Sequence, residues 1–149
     1  MEVSTFFLSI ASGLAATIAM TAVMYLYAYI SQTNTKVVHI LGSMLTGNNK
    51  IPDNPKIKLY AVGSFAHIFI GFLFSLAYFL LWNWGVFEIT FNDSLIIGAL
   101  SGIVAIIFWK TYFSIYRNPP KVPLLHYFTA LFISHIVFGV VAVHVLDFI

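Results

Sequence analysis

Residues 58–82 read KLYAVGSFAHIFIGFLFSLAYFLLW, and the only charged side chain among them is Lys58 at the first position. A helix of this length, at about 1.5 Å per residue, exceeds the roughly 30 Å hydrocarbon core of a bilayer. Three more segments have the same character, at about residues 5–30, 94–116 and 123–148. Because backbone groups in lipid must hydrogen-bond within their own segment, the pattern predicts an all-α, integral-membrane antiparallel four-helix bundle, a single domain over residues 1–149.

The composition excludes several classes of protein. The chain is 60% hydrophobic and 8% charged, whereas a soluble domain is about a quarter charged, so the lipid bilayer is the expected surrounding. There is no cysteine, which excludes disulfides, thiolate metal sites and cysteine nucleophiles. No basic patch with spaced aromatic residues is present, so we do not expect nucleic-acid binding.

The charges are divided between the two sides of the predicted bundle. All seven lysine and arginine residues lie in or beside the first and third connections, namely Lys36, Lys50, Lys56, Lys58, Lys110, Arg117 and Lys121. Four of the five acids, Glu2, Glu88, Asp93 and Asp147, lie on the other side. Since cationic loops stay on the cytoplasmic face, we expect both termini outside and the long 31–57 loop inside, most naturally in a bacterial cytoplasmic membrane.

Residues 35–45 of the first connection place their aliphatic side chains on one side, with Lys36, His39 and Ser43 elsewhere. That pattern predicts a short interfacial helix between spans one and two, with His39 in solvent. A frayed continuation of span one is the alternative.

The two halves of the chain share short motifs. Span one contains Ser12-Gly13 and span three contains Ser101-Gly102, while spans two and four contain His67-Ile68-x-x-Gly71 and His135-Ile136-x-x-Gly139. The halves therefore read as two repeated helical hairpins, related by an axis along the membrane normal.

Two histidines lie deep in the predicted membrane. At the helical rise, His67 and His135 are each roughly 14–18 Å from the inner boundary, near the midplane. An ionisable side chain at that depth is a candidate functional group. The two imidazoles could tie helices together by hydrogen bonds, line a proton or small-solute path, or ligate a haem b iron from opposite sides.

The haem hypothesis assigns roles to further residues. Gly71 and Gly139 would make room for the macrocycle, and Thr17 would accept a hydrogen bond from one imidazole. Lys110 lies six residues inside the end of span three, where its stem can snorkel to the interface or its charge can meet a lipid headgroup or a haem propionate. In that hypothesis His67 and His135 are the metal ligands.

The absences favour a protein without catalytic activity. No Asp, Glu, Asn or Gln lies in the middle of any span, and no catalytic triad, paired carboxylates or phosphate-binding loop is present. We therefore expect a non-enzymatic membrane protein whose midplane histidine seam holds a small ligand or docks a partner. The alternatives are a bis-histidine haem b electron-transfer protein, a small-solute or proton permeation pathway, and an accessory or scaffold subunit of a larger membrane complex. A homo-oligomer is a further possible assembly.

One stretch of span one and the two histidine motifs carry a resemblance. The residues Gly13-Leu14-Ala15-Ala16-Thr17-Ile18-Ala19-Met20-Thr21, with the His-x-x-x-Gly pairs at His67 and His135, resemble small, uncharacterised bacterial four-span membrane proteins. The likeness covers the spans and leaves out the long inner loop. It implies the four-span fold and carries no activity with it.

Overall fold

The structure, a computed structural model, describes the backbone of residues 3–147 and the side chains of residues 7–145. Within that range it has five helices and no strand: α1 (Val3–Ser31), α2 (Val37–Leu45), α3 (Ile57–Asn83), α4 (Phe91–Ile115) and α5 (Leu124–Asp147). All of these except α2 are long and apolar enough to cross a membrane. The predicted all-α four-span bundle is confirmed, and residue 148 of the predicted fourth span lies outside the described range.

Local signals set the ends of the helices. The Thr90 hydroxyl accepts a hydrogen bond from the Asp93 amide at 3.2 Å, so α4 begins at Phe91, three residues before the predicted Ser94. Gly85, with φ of +70°, ends α3 in a left-handed turn that only glycine adopts without strain. Between α4 and α5, the prolines at 119, 120 and 123 prevent a continuous helix.

The spanning helices pack in the order α3, α1, α5, α4. The α1 helix packs closely on α3 and α5, and α5 packs closely on α4, whereas α3 and α4 are not among the closely packed pairs. The bundle is therefore tight around α1 and α5 and looser between α3 and α4.

Small residues join the two helices of each hairpin, α1 to α3 in the first and α4 to α5 in the second. Gly71 of α3 faces Thr17 of α1, and the Ser75 hydroxyl donates to the Ser9 carbonyl. In the second hairpin the approach is closer, because a Cβ atom on Gly139 would lie 2.8 Å from the Cα atom of Gly98. These contacts are the close helix approaches that small residues at steps of four allow in membranes.

The short helix α2 is buried instead of lying on a surface. Eight of its nine residues are buried, and it packs on the start of α3 so closely that a Cβ atom on Gly63 would lie 2.9 Å from the Gly42 amide nitrogen. His39 is 4% exposed, with Nδ1 3.0 Å from the Pro52 carbonyl oxygen, and the Ser43 hydroxyl donates to the Lys50 carbonyl at 3.0 Å. The prediction of a short helix is confirmed. The prediction that His39 is in solvent is wrong, because the following loop folds back and supplies it with a carbonyl partner.

Candidate functional site

A cavity of about 310 Å³ lies in the loose part of the bundle, among α3, α4 and α5, with α1 and α2 completing its walls. Its lining is almost wholly apolar. The polar groups of its lining side chains are the imidazoles of His67 and His135 and the indole N–H of Trp109. The two midplane histidines therefore meet at one cavity, on helices that the chain places far apart in sequence.

His67 is held by a neighbouring helix. It is 4% exposed, and its Nε2 lies 3.0 Å from Thr21 Oγ1 on α1. The Thr21 hydroxyl already donates its proton to the Thr17 carbonyl at 2.6 Å, so its oxygen accepts from His67. Nε2 therefore carries the proton, and Nδ1 is left as a bare acceptor.

His135 is held by its own helix. It is 4% exposed, and its Nδ1 lies 2.8 Å from the Leu131 carbonyl oxygen, one turn earlier on α5. A carbonyl only accepts, so Nδ1 carries the proton and Nε2 is the bare nitrogen. The Phe74 ring stands edge-on to this imidazole, with ring centroids 5.4 Å apart.

Both rings are neutral on physical grounds. The five acids of the chain are Glu2, Asp53, Glu88, Asp93 and Asp147, and none lies within the middle of a span. An imidazolium in the apolar cavity would be a buried charge without a counter-ion, which is far less stable than the neutral ring.

Side chains bound the cavity along the bundle axis, and its side is open between exposed residues. Val37 and Leu41 of α2 line the end toward the cationic loops, and rings of α3 and α5 pack edge-to-face toward the other end, with Tyr78 and Phe138 centroids 5.6 Å apart. The lining residues Leu73 and Val104, on the facing sides of α3 and α4, are 46% and 57% exposed on the outside of the bundle. The opening therefore faces the lipid between these two helices.

Three of the residues predicted for the site lie elsewhere. Gly139 packs against α4, where its Cβ position is 2.5 Å from the Ser94 carbonyl oxygen, and the Thr17 hydroxyl donates to the Gly13 carbonyl at 2.7 Å. Lys110 is exposed and does not line the cavity. Gly71 does line the cavity, beside His67, although its open face is taken up by Thr17.

These positions do not fit a haem b held between the two histidines. The space left by Gly71 and Gly139 is filled by neighbouring helices, and Phe74 stands against the His135 ring. The cavity is at the small end of the 300–1,000 Å³ range of ligand sites. Nor does the described part of the chain contain a group of three or more His, Cys, Asp or Glu residues that could hold a metal ion.

Sequence reasoning missed three residues that shape the site. Thr21 belongs to a series with Ser9, Gly13 and Thr17 at steps of four, so its position facing span two could have been found. Phe74 and Trp109 gave no signal, because aromatic residues occur throughout the spans of a chain with 15 phenylalanines.

No protein-family model, curated protein or solved structure matches this chain. The resemblance to small bacterial four-span proteins therefore stays a prediction. The four long, apolar helices indicate a helical membrane protein.

Proposed function

We propose that this protein holds a small, largely apolar molecule from the bilayer in the cavity beside His67 and His135, without catalysing a reaction. The observation that carries the proposal is the cavity itself. It places two imidazoles in an otherwise apolar chamber large enough for a small molecule. Sites of this kind, apolar with few converging polar groups, are typical of ligand binding.

The side opening supports a ligand that reaches the site through the membrane. Leu73, Val104 and Phe108 line the cavity and are also exposed on the outside of the bundle. A molecule dissolved in lipid could enter between α3 and α4 without crossing water. The same geometry does not favour a permeation pathway, because the apolar side chains of Val37 and Leu41 line one end and the Tyr78 and Phe138 rings pack toward the other.

We also propose that the 31–57 loop faces the cytoplasm and both termini face outward, from the distribution of lysine and arginine. Asn49 in the first connection and Asn92 in the first turn of α4 are exposed at opposite ends of the bundle, and the chain has no cysteine of its own. Cysteines introduced at these positions should react with an impermeant maleimide from opposite sides. Labelling of both from one side would contradict this orientation.

The ligand proposal can be tested by the fluorescence of Trp109, which lines the cavity. In a Trp82→Phe, Trp84→Phe background, Trp109 is the only tryptophan of the chain. The probe is 1-bromonaphthalene, an apolar quencher with a heavy atom. Binding in the cavity should give quenching that saturates, whereas simple partition into detergent or lipid gives quenching that rises without saturation.

Ala105→Leu and Ala99→Leu form a matched pair for this experiment. Ala105 lines the cavity and is 7% exposed, so a leucine there would fill the chamber, while Ala99 lies on the same helix outside the lining. Saturable quenching should survive Ala99→Leu and disappear with Ala105→Leu. Non-saturating quenching in the parent protein, unchanged by either substitution, would refute a binding cavity.

A further inference from the structure

We infer that the cavity selects a molecule with a hydroxyl group, an apolar body carrying a phenolic or alcoholic O–H, over the same body with an ether or carbonyl oxygen. This inference rests on the proposed function, because it names the chemical class of the ligand. It follows from the proton positions on His67 and His135 and from the membrane around the site.

Both histidines offer an acceptor to the cavity. The Nε2 proton of His67 is directed to Thr21, and the Nδ1 proton of His135 is directed to the Leu131 carbonyl. No group among the described residues bonds to His67 Nδ1 or His135 Nε2. A bound molecule therefore meets bare nitrogens, and it can satisfy them only by donating a proton.

Trp109 adds the complementary group. Its indole N–H is the only hydrogen-bond donor among the side chains that line the cavity once both imidazole protons are engaged. A hydroxyl has a proton to donate to an imidazole nitrogen and lone pairs to accept from an indole N–H, so it can use either kind of group in the lining. An ether or carbonyl oxygen can accept from Trp109 and leaves both imidazole nitrogens without a partner.

The surrounding lipid increases this selection. A hydroxyl dissolved in the hydrocarbon core has no partner for its proton, so it gains a hydrogen bond on entering the cavity. An ether can gain only the bond from Trp109, which the hydroxyl can gain as well, and it has no proton to donate to an imidazole. Since a net hydrogen bond contributes about 1 kcal/mol, the hydroxyl compound should bind roughly threefold to tenfold more tightly.

The test compares 2-naphthol with 2-methoxynaphthalene, two molecules of one shape that differ in the O–H donor. Each competes with 1-bromonaphthalene for the cavity. The partition of each compound between water and micelles is measured first, and its concentration is then given as moles in the micelles per mole of detergent. We expect 2-naphthol to restore Trp109 fluorescence at a roughly threefold to tenfold lower concentration. Equal competition would overturn the hydroxyl inference and leave the binding cavity intact, whereas a probe that never saturates would overturn both.

Variants assign the preference to the histidines. His67→Leu and His135→Leu should each reduce the preference for 2-naphthol, and the double variant should abolish it while 1-bromonaphthalene quenching still saturates. Thr21→Val removes the acceptor that fixes the His67 proton, so it should weaken the preference without removing an imidazole. His126, exposed and 3.1 Å from the Tyr27 hydroxyl, is the control, and His126→Leu should leave the preference unchanged. A preference that survives the double variant would overturn the assignment.

Discussion

The two hairpins, α1–α3 and α4–α5, meet along two interfaces that the internal repeat would make equivalent. In the α1–α5 interface the helices pack closely, and the Ser12 hydroxyl donates to the Ala142 carbonyl at 2.7 Å. In the α3–α4 interface the equivalent serine, Ser101, reaches the Tyr78 hydroxyl at 2.8 Å. A serine thus contacts a helix backbone in the first interface and the tip of a tyrosine in the second, which agrees with the looser packing of α3 and α4.

The long first connection explains why the second interface stays open. The α2 helix occurs only in the first half of the chain and packs on the start of α3, while the Tyr116 hydroxyl at the end of α4 donates to the Met44 carbonyl at 3.2 Å. Helix α2 therefore lies against the start of α3 and contacts the end of α4, so we expect it to keep these ends apart. The candidate site lies where the two halves stop being alike, which indicates that the insertion shapes the cavity.

The largest expected effect comes from displacing α2. Gly63→Leu would drive a side chain into the Val38 carbonyl and the Gly42 amide, which are backbone groups that cannot turn aside. We expect the free energy of unfolding in detergent to fall by about 1–3 kcal/mol, as for other overpacked positions. Saturable 1-bromonaphthalene quenching should also be lost, because Val37 and Leu41 of α2 line the cavity.

Ala61→Leu is the control for that experiment, because Ala61 lies on the exposed side of the same helix. It should leave both the unfolding free energy and the quenching unchanged. If Gly63→Leu destabilises the protein and the cavity still binds the probe, α2 is not what holds the second interface open.

A smaller effect is expected from narrowing the side opening. Leu73→Phe with Val104→Phe would place two rings at the gap between α3 and α4, so the probe could enter only when a side chain moves away. Entry of 1-bromonaphthalene, followed by stopped-flow quenching of Trp109, should slow on the order of tenfold. Ile18→Phe, on the exposed side of α1, should not change the rate, and an unchanged rate in the double variant would place the entrance elsewhere.

Replacing Ser101 and Ser12 by alanine should lower the free energy of unfolding by different amounts. Ser101→Ala leaves the buried Tyr78 hydroxyl with only the Ile97 carbonyl, at 3.4 Å, so we expect a loss of about 1–2 kcal/mol. Ser12→Ala leaves the Ala142 carbonyl in a helix and should cost about 0.6 kcal/mol, the usual value for a hydrogen bond between membrane helices. Unfolding in detergent measures both losses. When Tyr78 is first replaced by phenylalanine, Ser101→Ala should cost about as little as Ser12→Ala, because no hydroxyl is then left without its partner. Equal losses for both serines would contradict the difference between the interfaces.

The sequence predicted the features that depend on length and composition. The spans follow from apolar stretches that must form helices in lipid, and the depth of His67 and His135 follows from the helical rise. Their meeting at one cavity could not be predicted, because it depends on the gap between α3 and α4, and thus on where α2 packs. The burial of His39 was missed for a related reason, since its carbonyl partner comes from Pro52 in a loop without a pattern of its own.

The smallest expected effect is a loss of stability in the packing of α2 as the pH falls. Burial lowers the pKa of His39 below its usual 6.5, and Lys36 acts in the same direction, while the Pro52 carbonyl and Asp53 partly oppose them. The unfolded histidine therefore binds a proton at a higher pH than the folded one, so the folded state loses stability as the pH falls through about 6.5. The loss is complete once the pH is below the folded pKa.

Hydrogen exchange should show this loss locally, in the region that separates α3 from α4. After correction for the intrinsic pH dependence of exchange, α2 amides should be less protected at about pH 5.5 than at about pH 7.5, on either side of the unfolded histidine pKa. Amides around the Ser12–Ala142 contact of α1 and α5 should keep their protection, because that contact lies more than three helical turns along α1 from Tyr25, the α1 residue whose ring meets His39. His39→Gln removes the titrating group and should flatten the pH dependence of α2, whereas an unchanged dependence in that variant would show that another group loosens α2.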